Sequence, residues 1–261
     1  MQLALCAAAL SACSVKEDRS SCPCFLDVDI SRADSAYRFK TAVISLTEAR
    51  LISQEDVPYD DYRVRNYESQ VPRTMIRTSV IAGISNALCH GDTLAVREGA
   101  QFDPVLAHAN LVDCTGKEEA LDVARYRKRH CRATFILEGK EAGEEYPYDI
   151  RIRANYGGFN IFSLSPVCVP FRHTVLPDNT GDYHAYLPPQ GDDAMVVDMI
   201  SKMDGTLAWQ FRLGEELRDR GYDWSKPDLD DISVVLNIVE ARFSVDILDW
   251  ELNRNMENVE F

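Results

Sequence analysis

The stretch "YDIRIRA", residues 148–154, decides the fold. In an extended chain successive side chains point to opposite faces. Tyr148, Ile150, Ile152 and Ala154 therefore share one face, and Asp149, Arg151 and Arg153 share the other. This period of two marks a strand with one dry and one wet side. It recurs in "FLDVDI" (25–30), "LAWQFRL" (207–213), "ISVVLNIV" (232–239) and "RFSVDIL" (242–248). Shorter candidates are "AVISL" (42–46), "TLAVR" (93–97), "ATFIL" (133–137), "HAYL" (184–187) and "AMVVDMI" (194–200).

Turn residues separate these runs: "GG" at 157–158, "PDNTG" at 177–181, "PPQGDD" at 188–193 and "DG" at 204–205. Many short strands with turns between them predict antiparallel β-sandwiches. Helical signal is confined to "LGEELRDRG" (213–221), where Leu213 and Leu217 lie one turn apart and Gly221 can cap the end. Residues 47–70 are polar, rich in tyrosine and interrupted by Pro58, and read as a long loop holding one strand at most. Near a dozen strands in 261 residues suit two sandwiches. The drop in apolar density at "CTGKEEALD" (114–122) divides the chain into residues 25–118 and 119–261.

The formal net charge of −14 disfavours nucleic acid as a partner, since phosphate binding needs an electropositive face. The one basic cluster, "RYRKRH" (125–130), reads as a solvated strand face. No catalytic pattern emerges around the five histidines. His130 and Cys131 are adjacent, which in a strand turns them to opposite faces. The acidic segments "DNTGD" and "DLDD" lack EF-hand spacing and read as solvated turns. "CPC" (22–24) has no second pair with which to hold zinc. The expectation is no enzyme, no metal and no cofactor. Trp209 falls on the apolar face of its strand and reads as core; Trp224 and Trp250 fall at strand or loop edges.

Residues 2–12, "QLALCAAALSA", are too short to span a membrane and resemble the apolar core of a secretory signal. They lack the usual basic start, so the natural start could lie upstream. Once Cys6 leaves with the signal and Cys13 is set apart, six cysteines remain: Cys22, Cys24, Cys89, Cys114, Cys131 and Cys168. An even number in an exported chain is compatible with disulfides. Free buried thiols are the alternative, and sequence gives no connectivity.

Leu10-Ser11-Ala12-Cys13 resembles the bacterial lipobox, which makes Cys13 the candidate lipidation site. The signal is then residues 1–12 and the lipidated tether residues 13–24. Lys16, Glu17 and Asp18 resemble the surface-export signal of Bacteroidetes lipoproteins, though an ordinary charged tether has the same character. Further along, "GYDW" (221–224), "DLDD" (228–231) and Trp250 follow one another as in the Bacteroidetes fimbrium anchor lipoproteins, the FimB-like group. "CSVKEDRSSCPC" (13–24) and "QFDPVLAHANLVDC" (101–114) are also similar to that group.

The resemblance implies an all-β chain of two transthyretin-like sandwich domains, acylated with palmitate-type chains and held at the outer membrane. It implies a surface-exposed cell-adhesion component that holds the base of a type V fimbrium and limits its length. Its partners would be fimbrial pilin subunits, bound by strand complementation. A surface lipoprotein that binds a glycan or host ligand is the rival reading.

Overall fold

A computed structural model describes residues 22–32, 39–45, 50–57, 59–62, 65–138, 146–179, 182–237 and 240–250. The signal segment 1–12, Cys13, Lys16, Glu17, Asp18 and the tether up to residue 21 lie outside the described residues.

In chain order the elements begin β1 (Cys24–Asp29), β2 (Phe39–Ser45), β3 (Arg50–Val57), α1 (Tyr59–Tyr62), β4 (Tyr67–Val71), β5 (Met75–Ala82), β6 (Ala87–His90) and β7 (Thr93–Val96). They continue with β8 (Leu106–Asp113), β9 (Glu119–Val123), β10 (Arg127–Lys128), β11 (Cys131–Glu138), β12 (Tyr148–Ala154), β13 (Gly158–Asn160) and β14 (Pro166–Val167). The last are β15 (Phe171–Val175), β16 (Tyr183–Leu187), β17 (Val196–Ser201), β18 (Leu207–Phe211), α2 (Leu213–Asp219), β19 (Asp231–Asn237) and β20 (Arg242–Leu248). The protein is all-β, and each strongly alternating run is a strand. "YDIRIRA" coincides with β12, whose Ile150 and Ile152 are fully buried between exposed Arg151 and Arg153.

The expected loop at 47–70 instead contains β3, the single turn α1 and β4. Its polar residues occupy strands whose outer faces are wet, so composition alone hid them. β3 pairs with β2, and β4 with β1.

Five sheets result. A three-stranded sheet, β4-β1-β9, and a five-stranded sheet, β10-β8-β5-β2-β3, enclose the smaller core. Leu26, Val28 and Ile30 point into it from one side, and Ile76, Val80 and Val112 from the other. The larger core lies between β16-β11-β19-β20 and β15-β12-β17-β18, with β14-β13-β7-β6 beside them. Ile81, Leu94, Phe102 and Val105 reach this larger core from the first half of the chain. β9, beyond position 118, returns to lie parallel to β1. Strand β7 pairs with β13, so the two halves interlock.

One glycine shows how tight that junction is. A Cβ on Gly158 would sit 2.0 Å from the Leu94 carbonyl oxygen across the β7–β13 ladder.

The predicted helix is α2. Gly221, at φ +79°, ends it. The Gly221 N–H donates to the Arg218 carbonyl and the Tyr222 N–H to the Leu217 carbonyl, the paired bonds of a Schellman stop. That stop turns Tyr222 inward, where its hydroxyl donates to the Asp230 carbonyl at 2.7 Å.

Candidate functional site

Two regions stand out. One is the side of the larger sandwich where both facing sheets end, in β18 and β20. Among the described residues neither strand has a neighbour on its outer side. Alternation in "LAWQF" puts Trp209 and Phe211 on one face of β18. Phe211 stacks on Phe243 of β20 with centroids 4.3 Å apart, and Trp209 lies 5.4 Å from Phe211 and 6.0 Å from Phe243. This three-ring seam closes the sandwich between the two edges. Trp209 packs against the core, as its strand face predicts. Leu207 and Leu248 remain apolar and exposed on the two edge strands. An edge strand with unpaired backbone groups is a template for another strand.

The other region is the junction between the cores, and it corrects the reading of the basic cluster. Lys128, Arg129 and His130 are not on a solvated face; all three are buried. The Lys128 ammonium donates to the carbonyls of His130 (2.9 Å) and Leu229 (2.8 Å) and to the Asp231 carboxylate (2.6 Å). It lies 4.7 Å from the centre of the Trp250 ring, a cation–π contact. Arg129 donates to the carbonyls of Lys226 (2.8 Å) and Leu164 (2.9 Å).

"DLDD" is likewise no solvated turn. Asp228 accepts from Arg127 (2.9 Å) and from the Lys128 N–H (2.7 Å). Asp230 accepts from Lys226 (2.6 Å) and the Trp250 N–H (3.2 Å), and Asp231 also caps the Arg132 N–H (2.7 Å). The basic and acidic runs, a hundred residues apart, thus staple one another. Their opposite charges were the one sequence signal of this contact.

His130 and Cys131 are not arranged as a nucleophile and its base. His130 Nδ1 lies 3.0 Å from the Val105 carbonyl, to which it donates. Burial, helped by the charge of Lys128, pulls its pKa down to about 3. Burial pushes the Cys131 thiol up to about 12.

"QFDPVLAHANLVDC" carries a second polar knot. The fully buried Asp122 carboxylate accepts from Thr78, from Asn110 (2.7 Å) and from His108 Nε2 (3.1 Å). His108 Nδ1 in turn accepts the Arg125 N–H at 3.1 Å, which makes the ring the neutral Nε2–H tautomer and occupies both nitrogens. Burial raises the Asp122 pKa, but the bonds from His108, Thr78 and Asn110 outweigh it and hold the group below its ordinary value. A cavity of about 490 Å³ opens beside this knot, lined by Asn110, Arg125, Arg127 and Leu164. Nearer the start of the motif, Asp103 caps the 85–87 loop by accepting the N–H groups of Ser85, Asn86 and Ala87.

Of the six candidate disulfide cysteines, Cys22 and Cys168 are exposed. Cys89 on β6 accepts from Gln54 at 2.8 Å. Cys131 sits in the larger core beside Tyr222. Cys24 and Cys114 are fully buried together in the smaller core.

These features define a two-cored, all-β sandwich protein with open strand edges. No family profile and no curated protein matches the chain. Solved structures do share its fold. A Bacteroides thetaiotaomicron protein of the DUF1812 group, a candidate polysaccharide-binding protein, superposes with a TM-score of 0.60 at 11% identity, covering 87% of this chain and 96% of its own. The fimbrial anchor protein Mfa2 from Porphyromonas gingivalis gives 0.56 at 12%, covering 88% and 98%. A candidate adhesin from Bacteroides ovatus gives 0.54 at 10%, covering 88% and 94%.

Proposed function

We propose that this chain is a lipid-anchored surface protein that fastens the base of a fimbrium and limits its growth, without catalysing a reaction. Cys13 takes the lipid, and Lys16, Glu17 and Asp18 direct the chain to the cell surface. A pilin subunit docks by adding a strand to the β18 or β20 edge. The observation that carries this reading is the pair of edges, unpaired among the described residues, that the Trp209–Phe211–Phe243 seam joins. Strand addition gives affinity through main-chain hydrogen bonds and specificity through alternate side chains. The likeness in fold to a fimbrial anchor, over 88% of this chain, supports it.

The experiment is isolation of native fimbriae from cells producing a tagged chain. One copy at the base is the expected result. Copies along the whole shaft would make it a shaft subunit, and its absence from fimbriae would leave only a surface protein. In parallel, Cys13→Ala should move the protein out of the outer-membrane fraction and release fimbriae into the medium. Unchanged partitioning would refute the lipid anchor.

The cavity beside Asn110, Arg125 and Arg127 favours a second reading, a glycan held by amide and guanidinium donors. Retention on immobilised polysaccharide, lost in Asn110→Ala, would select it.

A further inference from the structure

We propose that Cys24 and Cys114 are joined by a disulfide bond in the mature exported protein. Cys24 is the first residue of β1 and points into the smaller core with Leu26 and Val28. Cys114 follows the last residue of β8, and its N–H donates to the Thr74 carbonyl at 3.0 Å. The chain then turns tightly. Lys117 donates back to the Cys114 carbonyl, and Gly116 takes a left-handed φ of +67°. The turn delivers the Glu118 carbonyl to the N–H of Phe25 at 2.8 Å, and β9 runs on parallel to β1. The neighbour of Cys24 is thus fastened to the turn that Cys114 begins.

Both side chains are fully buried, both belong to the same core, and Cys24 is near enough to raise the pKa of the Cys114 thiol. Both are free thiols in this structure. The other cysteines among the described residues are placed elsewhere: two on the surface, one against Gln54 and one in the larger core.

The chemistry is thiol–disulfide exchange with an external disulfide, RSSR, either a small molecule or an oxidoreductase. One thiolate attacks RSSR and releases RS⁻. The second cysteine attacks the mixed disulfide and releases another. In sum, two protein thiols and RSSR give one protein disulfide and two RSH, and the two electrons end on RSSR. The thiolate is the attacking species. Burial, reinforced by Cys24, pushes the Cys114 thiol up to about 12. The bond therefore closes while the chain is still open, in an oxidising compartment, and the folded core then shields it from reductants.

The test is peptide mapping of the protein taken from cell envelopes, denatured and alkylated without reductant. A linked peptide pair containing Cys24 and Cys114 is expected. Alkylation of both residues as thiols would overturn the proposal. A second measurement needs no envelope. Protein refolded with oxidised and reduced glutathione should lose about 10 °C of Tm on reduction, from the long loop the bond closes. Cys22→Ala should respond in the same way. The double variant Cys24→Ala, Cys114→Ala should show no response, and a response equal to that of the parent would equally overturn the pairing. The outcome is independent of whether the chain binds a fimbrium.

Discussion

His130 is one residue that makes stability depend on pH on the acid side. Its pKa is about 3 in the folded protein against an ordinary 6.5. Between those values the unfolded chain binds a proton that the folded chain refuses, so stability falls as pH falls. The slope should approach about 1.4 kcal/mol per pH unit below pH ~6. His130→Gln keeps a donor for the Val105 carbonyl and cannot titrate. Urea denaturation between neutral and mildly acid pH should show a flatter profile for this variant; an unchanged slope would place the acid sensitivity elsewhere. Lys128 gives a second test. Its ammonium serves two carbonyls and the Asp231 carboxylate from a buried position. Lys128→Ala strands those acceptors and should cost about 3 kcal/mol at neutral pH. Neither role was legible in "RYRKRH", because charge composition predicts solvation, whereas Lys128 is buried by pairing with "KPDLDD" and His130 by its bond to the Val105 carbonyl.

At the scale of elements, alternation was a faithful guide where a strand has one wet face. β12, β19 and β20 follow their sequence runs closely. It failed where polar groups point inward or both faces are dry. β5, "MIRTSVIA", is buried along nearly its whole second half, with Thr78 and Ser79 inside, and shows no clean period. β8 turns His108 into the knot around Asp122. Buried hydrogen-bonding residues look polar to any hydropathy pattern, and their partners lie in other strands. The candidate docking edge was half legible: Trp209 and Phe211 were visible as one strand face, but not that β18 and β20 end their sheets side by side. Lysine on an edge strand discourages further pairing. Leu207→Lys and Leu248→Lys replace exposed side chains, so Tm should shift by less than about 2 °C, while pilin capture should fall at least tenfold. Undiminished capture would move the docking surface away from these strands.

At the scale of the whole molecule, the two cores are not separable beads. β5 sends Val80 to the smaller core and Ile81 to the larger, and β8 divides Val112 and Ala107 in the same way. The staple of Lys128, Arg129, Asp228 and Asp231 fixes the crossing from one to the other. Shared strands make partial unfolding expensive, so calorimetry should record one cooperative transition rather than two. Two resolved peaks, with a calorimetric enthalpy well above the van't Hoff value, would show that the cores melt independently. An all-β chain with two sandwiches followed from turn spacing and strand number. The interlocking did not, because the β7–β13 pairing depends on a contact at Gly158 that no local pattern announces.

β1 is the middle strand of its sheet, antiparallel to β4 on one side and parallel to β9 on the other. It is also the first strand among the described residues, so on the proposed lipidation of Cys13 it is the first that follows the anchor. Were the chain held there, a pull would enter the fold through β1, and its component along the strand would load both ladders. An edge strand pulled sideways would peel away one hydrogen bond at a time. A central strand drawn lengthwise must break its bonds to both neighbours together, in shear. On the proposed anchoring, the fold thus meets the first pull with a strand paired on both sides.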